Sequence, residues 1–133
     1  MGILLVTVRE LINDKLFIIY TVLLALDISS GYAKGVVTGK PSSRVGMIGI
    51  VKHMSVFLFA LVFDAILKFV GFETLGNFMI LGLIASNGIS ILENYSAMNI
   101  YTPVWLSEMF KNIEKSSNDE ASKIINRKEN DEK

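Results

Sequence analysis

Residues Leu16 to Val37 form a segment long enough to cross a lipid bilayer, and an acid stands near its middle. About twenty residues, at ~1.5 Å rise each, span the hydrocarbon core. The apolar run Leu16–Leu26 leads without a helix breaker into Leu26-Asp27-Ile28-Ser29-Ser30-Gly31-Tyr32-Ala33-Lys34-Gly35. A charge at the centre of a lipid-facing helix costs roughly 2.5–3.5 kcal/mol on insertion scales. Asp27 therefore does not face lipid. Asp27, Gly31 and Lys34 fall at i, i+4 and i+7 and share one helical face. That face needs water, another span of the same chain, or another copy.

Two further apolar blocks follow, and charge is concentrated beyond them. Residues 111–133 carry nearly half of all the charged side chains. That contrast, with a mean hydropathy of +0.47, favours an integral membrane protein over a soluble bundle. The formal net charge of zero gives nucleic-acid binding no electrostatic support. The absence of cysteine excludes disulfides and thiol chemistry, and a single histidine excludes a His-based metal cluster.

Residues 1–14 read as an N-terminal amphipathic segment. Leu4, Val8, Leu11 and Ile12 lie on one face, and Thr7, Arg9, Glu10, Asn13 and Asp14 on the other. It can lie in the membrane interface or simply extend the first span. The first span is expected at 16–37. Its end carries Gly31-x-x-x-Gly35-x-x-x-Gly39, a spacing that lets helix backbones approach closely. Pro41 ends this helix at or before Lys40. Lys34, Lys40, Arg44 and Lys52 surround the connector with no acid among them, which makes it cytoplasmic by the positive-inside rule.

The second span is expected at 50–70, with Asp64 and Lys68 paired at i, i+4 near its far end. His53 beside Lys52 reads as an interfacial residue. Gly71-Phe72-Glu73 makes a short outer turn before the third span, 74–92. There Gly82, Ser86 and Ser90 repeat at i, i+4 and i+8, with Glu93 at i+11, and Asn87 and Asn94 occupy the adjoining stripe. In lipid such a face packs against a helix or lines water. A surface helix over 102–113 follows, started by Thr102 and Pro103, with Leu106, Met109, Phe110 and Ile113 on one face. Residues 114–133 read as a charged flexible tail. The fold class is thus all-α, a small membrane protein with three transmembrane helices and a cytoplasmic amphipathic helix. Three spans and a cytoplasmic first loop place the N-terminus outside and the C-terminus inside.

No phosphate-binding glycine loop, Cys/His metal spacing or Ser–His–Asp arrangement is present. No enzyme activity and no cofactor are expected. The helix-packing or lining candidates are Asp27, Gly31, Lys34, Gly35, Asp64, Ser86, Asn87, Ser90, Glu93 and Asn94. Each also has a plainer use: Asp27 can pair with Lys34 or Lys52, the glycines can serve intrachain packing, and Glu93 with Asn94 can cap a helix end.

In order and spacing, these residues resemble a known group. Leu26-Asp27-x-x-x-Gly31, then Ser42-Ser43-x-x-Gly46-x-x-Gly49-Ile50-x-Lys52, then Asp64, and finally Ser90-Ile91-Leu92-Glu93-Asn94 followed by Pro103 and Leu106, are similar to the phage holins grouped with clostridial toxin-secretion holins. The resemblance covers about Lys15 to Phe110, a domain of residues 15–110. The family often has an acid just before the Ser-Ile pair, where this chain has Asn87. The resemblance implies accumulation in the bacterial cytoplasmic membrane, assembly with copies of itself, and timed lesions. A cell-wall hydrolase or a toxin then escapes without specific binding. The competing reading is a non-lytic accessory subunit or small transporter.

Overall fold

A computed structural model describes residues 9–10, 14–39 and 43–131, with the side chains of 43–45 and 129–131 left out. Most of the N-terminal amphipathic segment, and Pro41, lie outside the described residues. Four helices follow: α1, Lys15–Val37; α2, Ser43–Phe69; α3, Glu73–Ala97; and α4, Val104–Asp131. Among the described residues there is no strand. Three stretches are long and apolar enough to cross a membrane: Lys15–Val37, Gly46–Phe69 and Glu73–Ala97.

Local chemistry sets the boundaries. Asp14 caps α1 by accepting the Leu16 N–H at 2.9 Å. At the end of α2, Gly71 takes a left-handed backbone (φ 81°). Its N–H bonds Lys68 O at 3.2 Å, and the Phe72 N–H bonds Leu67 O at 2.7 Å. This is the six-to-one and five-to-two pairing of a Schellman turn, for which glycine has no Cβ penalty. The same motif ends α3 with asparagine in the left-handed position: Asn99 has φ 59°. Asn99 N–H bonds Ser96 O and Ile100 N–H bonds Tyr95 O, both at 3.0 Å. Both turns reverse the chain, so α3 runs against α2, and α4 against α3.

The third span is the hub. It packs on the three other helices, whereas among the described helices α4 packs on α3 alone. Of the most apolar stretch of each span, 39% is buried in α3 and 11% in α2, so α2 keeps most of its surface for lipid. Phe17, Tyr20 and Leu24 of α1 meet Ala60 of α2 and Ile80 and Ile84 of α3 in the core. Phe57 sits 5.7 Å from the Phe17 ring and 6.2 Å from the Tyr20 ring, closing an aromatic cluster. The buried positions of α1 continue through Asp27 to Ser30, so one stripe is apolar at one end of the helix and polar at the other.

The last helix departs from the sequence expectation. It does not stop at residue 113 and give way to a flexible tail; it continues to Asp131. Nor does it lie across the end of the bundle. It runs back along α3: Phe110 packs over Gly88, and Ile124 and Lys128 reach Thr74 and Leu75 beside the α2–α3 turn. Lys128 Nζ stands 3.5 Å above the centre of the Phe72 ring. The inward seam is Leu106, Phe110, Ile113, Ser117, Ala121 and Ile124, spaced by three and four, while Met109, expected on it, is exposed. Serine and alanine in that seam hide it from a reading of apolar periodicity. A groove of about 450 Å³ opens between α2 and α4, floored by α3.

Candidate functional site

Near the middle of the bundle, three helices bring polar side chains to one point. Asp27 is 3% exposed. Its carboxyl accepts from Ser90 Oγ at 2.7 Å and from Asn94 Nδ2 at 3.3 Å. Asn94 Nδ2 also donates to Ser30 Oγ at 3.0 Å, and the Asn94 carbonyl accepts from Lys34 Nζ at 2.5 Å. His53 Nε2 of α2 lies 3.8 Å from Asp27 Oδ2. The sequence explains the convergence: Asp27, Ser30 and Lys34 follow one another at helical spacing on α1, and Ser90 and Asn94 at i, i+4 on α3. Parallel helices in contact along these stripes align the two sets. Asp27 lies about 15 Å along α1 from its end at Val37, at ~1.5 Å per residue. Water is distant at that depth in a bilayer, and an unpaired polar group there is costly.

A second cluster sits at the opposite end. Asp64 has no exposed surface, and Lys68 Nζ approaches its Oδ2 at 2.9 Å. The same ammonium pairs with Asp14. Lys68 thus ties the start of α1 to the end of α2. Burial opposes charge on Asp14, but the Lys68 ammonium and the Leu16 N–H outweigh it and hold the carboxyl below its usual 3.8. Asp64 presses on α3 at Gly76, where a Cβ would come within 2.5 Å of Asp64 Oδ1.

Of the residues singled out in the sequence, Asp27, Lys34, Ser90 and Asn94 form one cluster, and a Cβ at Gly31 would meet Asn94 Nδ2 at 3.6 Å, an ordinary contact. Asp64 belongs to the second cluster. Asn87 is buried, and its Nδ2 has no hydrogen-bond partner among the described residues. Gly35 is half-buried, while Ser86 and Glu93 are exposed. Sequence reasoning missed Ser30 and His53 as partners of the Asp27 cluster, Asp14 as a partner of Lys68, and Gly76 and Gly88 as the tight glycines. The i, i+3 spacing of Asp27 and Ser30 was a usable signal for Ser30. The others are contacts across helices, with no local signature. Among the described residues no group of three His, Cys, Asp or Glu is placed to hold a metal ion.

A model of the bacteriophage holin family matches residues 6–115. The chain belongs to the bacteriophage holin family. A search of the curated proteins and a search of the solved structures found no match. Holins are not enzymes, and this family member is a multi-pass membrane protein with three spanning helices. The match takes in all three spans and both polar clusters, and ends about two fifths of the way along α4.

Proposed function

We propose that this holin accumulates in the bacterial cytoplasmic membrane, assembles with copies of itself, and opens lesions through which a cell-wall hydrolase (endolysin) or a toxin escapes. The supporting observation is the Asp27 cluster. Polar side chains at bilayer depth are satisfied by one another across helices, leaving the spans free to lie in lipid as a closed unit. Each such contact in lipid is worth only about 0.6–2 kcal/mol. Contacts of that size exchange readily for partners on a neighbouring copy, as a timed opening requires. The basic residues Lys34, Lys40, Arg44 and Lys52 favour a cytoplasmic first loop, with the N-terminus outside.

Induction in a bacterium carrying a reporter hydrolase tests this. The expected result is abrupt hydrolase release with loss of membrane potential, shifted in time by Asp27→Ala and by Gly31→Leu. Steady growth despite accumulation in the membrane refutes it. The groove between α2 and α4 favours a second reading, a non-lytic accessory subunit or small transporter, because a partner's span could fill it. Recovery in a fixed ratio with another protein, without lysis, would favour that reading.

A further inference from the structure

Helix α4 is charged at every depth of the bundle. Glu108, Lys111, Lys115, Asp119, Lys123 and Arg127 are exposed along its outward face, from the Ala97 end of α3 to the α2–α3 turn. No lipid-facing helix carries such a face. Across the groove α2 is its complement: Val51, Leu58, Val62 and Ile66 stand exposed on it, and Phe59 lines the groove together with Glu114 of α4. The floor of that groove is α3, the one helix that α4 packs on among the described residues. The molecule therefore presents an oily helix and a charged helix on either side of one groove. The groups at the Asp27 cluster already satisfy each other and would have to part before meeting water, whereas the outward face of α4 is hydrated as it stands.

We propose that α4, docked along α3, forms the wall of the aqueous opening, with copies of this chain arranged so that α4 faces water and α2 faces lipid. The proposal rests on the lesion-forming reading above. In the intact membrane lipid excludes the charged face, and α4 lies off α3 at the cytoplasmic surface on its Leu106, Phe110 and Ile113 side. As water enters between copies, α4 folds back along α3. From Val104 to Asp131 the helix carries Lys111, Lys115, Lys123, Arg127 and Lys128 against Glu108, Glu114, Asp119, Glu120, Glu129 and Asp131. So even a balance predicts little preference between cations and anions.

The chain has no cysteine, so introduced pairs report cleanly. Thr74 and Ile124 line one small pocket beside the α2–α3 turn. With α4 on the cytoplasmic surface, the two lie on opposite sides of a hydrocarbon core about 30 Å thick. The full chain carrying Thr74→Cys and Ile124→Cys is reconstituted into dye-loaded vesicles and treated with a short bis-maleimide. The expected result is an intrachain crosslink that appears as dye is released. Release without the crosslink, a crosslink only between copies, or a complete crosslink in tight vesicles overturns the proposal and leaves the lesion-forming reading standing. No release under any loading overturns both. As a second readout, Lys111→Glu with Lys115→Glu and Lys123→Glu should turn the conductance in planar bilayers several-fold cation-selective. Unchanged selectivity overturns the proposal.

Discussion

Replacing Asp27 by alanine removes the acceptor on which the central cluster closes. Two hydrogen bonds go at once, from Ser90 Oγ at 2.7 Å and Asn94 Nδ2 at 3.3 Å. Asn94 keeps Ser30 Oγ and Lys34 as partners, so it is not orphaned. The Ser90 hydroxyl loses its Asp27 partner, and His53 loses the carboxyl oxygen 3.8 Å away. Side-chain hydrogen bonds in membranes contribute about 0.6 kcal/mol on average and at most about 2, and an orphaned buried donor costs about 1–3 kcal/mol. The sum for Asp27→Ala is roughly 2–4 kcal/mol. Ser90→Ala removes one of these bonds and leaves the Asp27 carboxyl bound to Asn94, for a cost of about 0.6–1 kcal/mol. Helicity followed through denaturation of the purified protein in mild detergent measures both, and the double variant gives their coupling. The reasoning fails if Asp27→Ala costs no more than Ser90→Ala, or if both fall within about 0.5 kcal/mol of the parent.

Three further outcomes follow from the packing. Gly76→Ala sets a Cβ 2.5 Å from Asp64 Oδ1 and should cost about 1–3 kcal/mol in the same assay, whereas Gly82→Ala, facing open space, should be neutral or stabilising by up to about 1 kcal/mol. Gly88→Val drives a side chain into the Phe110 ring, 2.6 Å from the Cβ position. It should release α4 and speed tryptic cleavage after Lys111 and Lys115 while leaving the denaturation of the spans nearly unchanged. Asp14 has a carboxyl held below its usual 3.8 by Lys68 and the Leu16 N–H, against burial. Its stabilising contribution is therefore full above about pH 4 and is lost as pH falls through the lower folded value; titration of parent and Asp14→Asn should show that acid loss only in the parent.

The spans were legible because lipid imposes a simple rule, and Leu16–Val37 obeys it by length and hydropathy. The Asp64–Lys68 pair was legible because i, i+4 on one helix is a local relation. His53 was not: it meets Asp27 only because α2 runs back beside α1, and nothing near residue 53 signals that. The length of α4 was hidden for a different reason. Its seam uses Ser117 and Ala121 where an apolar pattern would show larger side chains, and its charges imitate a disordered tail. The docked helix also exposes a conflict that periodicity alone cannot reveal. Lys115, Asp119 and Lys123 are exposed along its middle. At roughly 2.5–3.5 kcal/mol for each charge facing lipid at the centre of a bilayer, the three together are comparable to the ~5–15 kcal/mol that holds a domain folded. That outward face therefore meets water wherever α4 is docked.

Opening of the membrane by this chain requires copies acting together. Dye release from vesicles, recorded as the protein-to-lipid ratio is raised, measures this most directly. The expected result is a threshold, with release rising as a power of that ratio well above one. Release proportional to the amount of protein, or vesicles that stay tight at every ratio, would contradict it.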